Sequence, residues 1–86
     1  MIARGALEQW LGERLAKLDD QGQISVRTYK GDRGLTLRRT QAGFELTEDG
    51  YVDQTQTFPD RRSLMKAVKT AARREFPRSN QLRTKG

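Results

Sequence analysis

Residues Gln23–Thr40 read QISVRTYKGDRGLTLRRT. Side chains alternate with period two along an extended chain, which puts Ile24, Val26 and Thr28 on one face and Leu35 and Leu37 on one face of the run that follows. Setting Val26 against Leu37 sets Lys30 against Arg33. The connection is then Gly31-Asp32, with glycine first, as a type II′ hairpin prefers. Face and turn agree, and the stretch predicts an antiparallel pair.

The same test extends downstream. Four strand runs are expected, roughly residues 23–30, 34–40, 44–47 and 51–58. Thr40-Gln41-Ala42-Gly43 fits a four-residue loop that places Arg38 opposite Glu45. Pairing Leu46 with Val52 leaves Glu48-Asp49-Gly50 as a three-residue loop with glycine at its left-handed position. A two-residue Asp49-Gly50 loop would oppose Leu46 with Asp53 and is rejected. The fourth run, with DQTQT at residues 53–57, is polar on both faces. It reads as a sheet edge open to pairing with another copy.

Helices flank these runs. From Ala3 to about Leu18, the residues Leu7, Trp10, Leu11, Leu15 and Leu18 follow the i, i+3, i+4 spacing of an amphipathic helix, with Trp10 as a core anchor. Gly12 inside it costs about 1 kcal/mol relative to alanine. Asp60 is a natural N-cap for a second helix, with Phe58 packing near Leu64, and Pro77 ends that helix. Within it, Leu64, Met65, Ala67, Val68, Ala71, Ala72 and Phe76 cover about half the circumference. The last nine residues, RSNQLRTKG, hold one large apolar side chain and read as a flexible basic tail over 78–86. The expectation is a single α+β domain over 1–77: an N-terminal helix, an antiparallel meander of three to four strands and a C-terminal helix, both helices on one face of the sheet.

At 86 residues such a domain buries only about 60% of its unfolded surface. The chain has no cysteine and no histidine, which removes a disulfide framework, the thiol nucleophile, the commonest general base and the commonest transition-metal ligand. No catalytic set or metal constellation stands out, so neither an enzyme nor a cofactor is expected. Glu48, Asp49 and Asp53 could hold Mg²⁺ loosely, but acids are common on turns. No run approaches the ~20 apolar residues of a membrane span. Glu8, Glu13 and Arg14 interrupt the N-terminal apolar residues, unlike a signal peptide. A cytoplasmic protein with no membrane partner is expected.

Charge gives the functional lead. The net charge is +6 and the isoelectric point about 10.3, which suits a polyanionic partner. Residues 21–40 hold five basic groups and one acid, residues 41–59 four acids and no base, and residues 60–86 nine bases and two acids. On a helical wheel Arg62, Lys66, Lys69 and Arg73 form one stripe, with Arg61 and Arg74 beside it. No acid interrupts that stripe, and Glu75 lies on the apolar side. Solvated helix faces gain support from acids spaced at i+4 to bases. An unbroken row of cations instead repels itself and suits successive phosphates.

By parity Arg27, Tyr29, Thr36, Arg38, Glu45 and Tyr51 point away from the core. A tyrosine beside arginines there could stack bases, while Arg38 and Glu45 read equally as a cross-strand ion pair. Lys30 and Arg33 flank a tight turn that could reach a phosphate. The spacing is not that of a P-loop. Arg78, Arg83 and Lys85 would add a diffuse positive field.

The order helix, antiparallel strands, helix, with cations early in the second helix, is similar in layout to the double-stranded-RNA-binding domain. The resemblance implies that Arg61, Arg62, Lys66 and Lys69 bridge phosphates across a groove. The chain departs from that family in lacking a Gly-Pro-x-His loop and its ordered lysine cluster, and in having four strand runs rather than three. The functional expectation is a small non-enzymatic nucleic-acid-binding protein, largely sequence-independent, with RNA or DNA as partner. The alternative is an interaction module or accessory subunit docking on an acidic protein surface. The sequence leaves strandedness and oligomeric state open.

Overall fold

The computed structural model describes residues 1–77 and 79–85. In chain order it contains β1 (Ile2–Ala3), a 3-10 turn (Arg4–Ala6), α1 (Leu7–Ala16), β2 (Gln23–Thr28), β3 (Gly34–Thr40), β4 (Gly43–Asp49), β5 (Gln54–Phe58), α2 (Arg61–Glu75) and β6 (Gln81–Lys85). The class is α+β. The strands form one antiparallel sheet in the order β1-β6-β2-β3-β4-β5, so β2 to β5 are the expected meander. No described helix is long and apolar enough to cross a membrane.

The registers keep the expected faces but not all the expected partners. Ile24 faces Leu37 and Val26 faces Leu35, two residues from the pairing that sets Val26 against Leu37. The observed register buries two aliphatic pairs side by side, whereas the expected one would oppose Ile24 with Arg39. The β2–β3 connection is therefore Tyr29–Asp32, closed by Thr28 N–H to Arg33 O at 3.0 Å and turned by Gly31 at φ +78°. Arg38 does face Glu45. The last hairpin shifts by four residues: Leu46 faces Gln56 and Phe44 faces Phe58, so an aromatic pair forms and Val52 falls in a loop. All these shifts are even, so no side chain changes face. Gly43, at φ +139°, passes so close to Phe58 O and Pro59 that a Cβ would collide with them.

One core fills the space between helices and sheet. Leu7, Leu11 and Leu15 of α1 join Leu64, Val68 and Ala71 of α2 over Ile24, Val26, Leu35, Leu37 and Leu46, with Phe76 and Leu82 closing one end. Both helices thus cover one face, as the apolar stripes require, and α2 packs over β3, β4 and β5. Trp10 packs against this core, half-buried, with the Arg14 guanidinium 5.6 Å from its ring centre. The 3-10 turn leads directly into α1.

The reading of the C-terminus as a flexible tail is corrected over Gln81–Lys85. These residues form β6, paired with β1 on one side and β2 on the other. One large apolar side chain is enough, because Leu82 is fully buried and both backbone edges are hydrogen-bonded. Low apolar content does not mark a tail when the slot waiting for it lies inside a sheet. Arg4 fixes the approach to this strand, donating from Nη1 to Phe76 O and Pro77 O at 2.7 Å each. The two carbonyls that follow α2, those of the C-cap Phe76 and of Pro77, are thus satisfied from the N-terminal segment.

Candidate functional site

The basic helix begins as its sequence dictates. The Asp60 carboxylate accepts from Ser63 N–H at 2.7 Å, and this backbone hydrogen bond holds its carboxyl below the usual aspartate range. Leu64, Val68, Ala71 and Glu75 are buried, while Arg61, Arg62, Lys66, Lys69 and Arg73 are exposed. Arg62, Lys66, Lys69 and Arg73 run along the outer side of α2 in steps of three and four residues. The row is about 16 Å long at 1.5 Å per residue.

That row is not wholly free of acid. Lys69 Nζ lies 3.7 Å from Glu8 of α1, both side chains being half-exposed or more. Such a pair is weak in water, and its acid comes from another helix, where the wheel of α2 alone does not show it. Among the described residues Arg61, Arg62, Lys66 and Arg73 have no acidic partner within ion-pair distance.

Arg74 belongs to a different structure. Its Nε and Nη2 donate to the two Glu48 oxygens at 2.8 and 2.7 Å, and the Glu48 residue is 2% exposed. The guanidinium holds the Glu48 carboxyl at about 2, below its ordinary 4.5, although burial pushes it up. Next to it the buried Glu75 accepts from Tyr51 N–H at 2.8 Å and Val52 N–H at 3.1 Å, one backbone donor to each oxygen. Gly50 closes the same loop through its N–H to Asp53 Oδ1 at 3.1 Å. A Cβ on Gly50 would run into Glu75 Oε1 and lie 2.9 Å from Arg33 Cβ. Arg74 therefore holds the end of β4 and Glu75 the β4–β5 connection, and Arg74 is not part of the exposed row.

The other expected site residues divide between two places. Arg27 and Arg38 lie on the uncovered face of the sheet, on the far side of the molecule from the α2 row. Arg27 Nη2 pairs with Asp49 Oδ2 at 3.0 Å, and Arg38 Nη2 with Glu45 Oε1 at 3.6 Å. The pairing of Arg27 with Arg83 and of Ser25 with Lys85 puts both β6 cations on this same face, so they form no diffuse field around α2. Tyr29, Lys30 and Arg33 sit in and beside the β2–β3 turn at one end of the sheet. Arg78 lies outside the described residues.

Glu48, Asp49 and Asp53 do not gather around a point: one pairs with Arg74, one with Arg27, and one caps Gly50. No group of three acids among the described residues could hold a metal ion. Sequence reasoning missed Glu48 as the partner of Arg74. The parity that joins Phe44 to Leu46 also places Glu48 on the core face, and an acid there needs a buried partner.

Comparison of the chain with protein-family models, with curated proteins and with solved structures finds no match. What fold and site define is an architecture: a six-stranded antiparallel sheet covered on one face by two helices, with an exposed cationic row on the outer side of the second.

Proposed function

We propose that this protein binds nucleic acid without catalysing a reaction, and that the outer side of α2 grips the phosphates. The observation that carries the reading is the row Arg62, Lys66, Lys69 and Arg73, held on one helix and met, among the described residues, by one acid within ion-pair distance, Glu8 of α1. Successive cations at i+3 and i+4 stand about 5–6 Å apart at Cβ. Each can approach an anionic oxygen without distorting the helix, because α2 is fixed from behind by Leu64, Val68 and Ala71. Arg61 adds charge at the N-terminal end. Contacts of this kind position a strand but do not read bases, so recognition by this face is largely independent of sequence.

The test is fluorescence anisotropy with labelled duplex and single-stranded RNA and DNA at two salt concentrations. Neutralising four phosphates gives a slope of log K against log salt of about −3.6 on duplex DNA and about −2.8 on single strands. The Lys66→Glu/Arg73→Glu variant should lose well over tenfold in affinity with an unchanged melting temperature. Unchanged affinity in that variant would refute the assignment. A preparation that binds none of the four probes at roughly 50 mM salt would favour an acidic protein surface as the partner instead.

A further inference from the structure

The two exposed tyrosines stand at the same end of the sheet. Tyr29 is 68% and Tyr51 74% exposed. The first is in the β2–β3 turn and the second in the β4–β5 connection, and these two loops lie side by side. Arg33 joins them: its guanidinium carbon is 5.8 Å from the Tyr51 ring centre, and its stem lies against Gly50. Neither loop is free to drift. The β2–β3 turn is closed by Thr28 Oγ1 and Asp32 Oδ1 at 2.7 Å, and the β4–β5 loop is tied to Glu75 by Tyr51 N–H and Val52 N–H. Exposed aromatic rings on two braced loops carry a hydration cost that the fold itself does not recover.

A cleft of about 830 Å³ opens beside Tyr29, bordered by Tyr29, Lys30, Asp32, Arg33, Asn80 and Gln81, among others; Tyr51 does not line it and is joined to it through Arg33. Among the described residues its charges balance. Lys30 and Arg33 face Asp32 and Glu75, and the Glu75 oxygens are already occupied by backbone N–H groups. A balanced cleft is a poor host for a compact polyanion and a suitable one for a neutral planar group with hydrogen-bonding edges. Pro77 borders this cleft and also a groove of about 440 Å³ that contains Lys69 and Arg73 of the cationic row. The shared border at Pro77 joins the groove along α2, which Glu8 also lines, to the cleft at Tyr29.

We infer that this loop end is a stacking site for unpaired bases, with Tyr29 and Tyr51 as the platforms. The inference rests on the reading of α2 as a phosphate-binding face. It adds strand choice: single strands, or the unpaired ends and loops of folded ones, over continuous duplex. Base–aromatic stacking is tolerant of sequence because every base has a π-face, which suits a protein whose helix contacts are also sequence-independent.

The experiment compares oligo-uridine RNA and oligo-thymidine DNA of about 15 nucleotides with duplexes of equal length. Both single strands carry the chemistry the site needs, and the two arms show whether the sugar matters. In Tyr29→Ala/Tyr51→Ala, single-strand affinity should fall about fivefold or more per ring removed, duplex affinity should stay within about twofold of the wild-type value, and Tyr29→Phe/Tyr51→Phe should bind like wild type. Both rings are exposed, so unchanged melting checks the fold. If the alanine variant binds single strands as wild type does, or loses duplex to the same degree, the stacking site is wrong while the α2 reading stands. If Lys66→Glu/Arg73→Glu binds as wild type does, or wild type binds no probe, the α2 reading falls and this inference with it.

Discussion

Arg73 and Arg74 are neighbours in the chain and opposites in the fold. Arg73 is exposed on the outer side of α2 and has no acidic partner among the described residues. Arg74 is clamped through two hydrogen bonds to Glu48, a carboxylate with 2% of its surface accessible. A helix turns 100° per residue, and that one step carries the chain from a surface open to solvent to a surface that grips the end of β4. Basic residues in a row are therefore not one feature. The outer row costs the fold little and leaves its charge free for a partner. The inner pair spends its charge on a neighbour, and removing one member takes away the other's charged partner.

The sharpest way to break the comparison is to remove each arginine in turn. Arg74→Met leaves the Glu48 carboxylate with the Gln54 amide alone, at 3.3 Å; water reaches the pair from the Arg74 side, where 34% of the side chain is exposed, so the loss falls below the about 3–5 kcal/mol of a fully buried pair. Urea denaturation should show that loss against the roughly 5–15 kcal/mol typical of a small domain. Arg73→Met should change stability by no more than about 0.5 kcal/mol and lower affinity for nucleic acid instead. Equal destabilisation by both would erase the distinction.

The next effect follows from pH. The Glu48 carboxyl has a lower pKa in the folded protein than its ordinary value, so its contribution is complete above about 4.5 and is lost as pH falls towards about 2. Thermal melts between pH 6 and 2, as a rough window, should show stability falling across that interval in the wild type. In Glu48→Gln this group's part of the slope should vanish.

Smaller still is Glu75→Gln. It keeps an acceptor for one backbone N–H of the loop but turns a charge-assisted pair into a neutral one, for a loss of roughly 1–2 kcal/mol. Exchange of the Tyr51 and Val52 amide hydrogens should speed up more than exchange in β2 or β3. At the bottom of the scale, Lys69→Ala and Glu8→Ala should each stay within about 0.5 kcal/mol of wild type, and so should the double variant, because this pair is in water.

Much of the architecture was legible because it depends on periodicity. The apolar stripes of both helices, the Asp60 cap, the four strand runs and the face to which each strand residue points all follow from local spacing. The order of partners did not. A hairpin register two or four residues off keeps every side chain on its face, so parity cannot tell the alternatives apart. The choice fell to whether Ile24 meets Leu37 or Arg39, and whether Phe44 meets Phe58. The same limit explains the site. The wheel of α2 finds the outer row but not Glu8, which approaches Lys69 from α1. It ranks Arg74 with Arg73, since the carboxylate that claims Arg74 lies 26 residues away in β4. Leu82 was visible as a lone apolar residue in a polar segment. Nothing local says that a slot between β1 and β2 needs it.

The sequence by itself determined which residues are apolar, at what period they recur and where the cations outnumber the acids, because these are properties of neighbours along the chain. Tertiary structure decided which cations are spent and which remain. That depends on side chains brought together across the fold: Glu48 to Arg74, Glu75 to the β4–β5 loop, Asp49 to Arg27, and Arg33 to Tyr51. Charges and rings interact through space over a few ångströms, and only the folded chain fixes those distances.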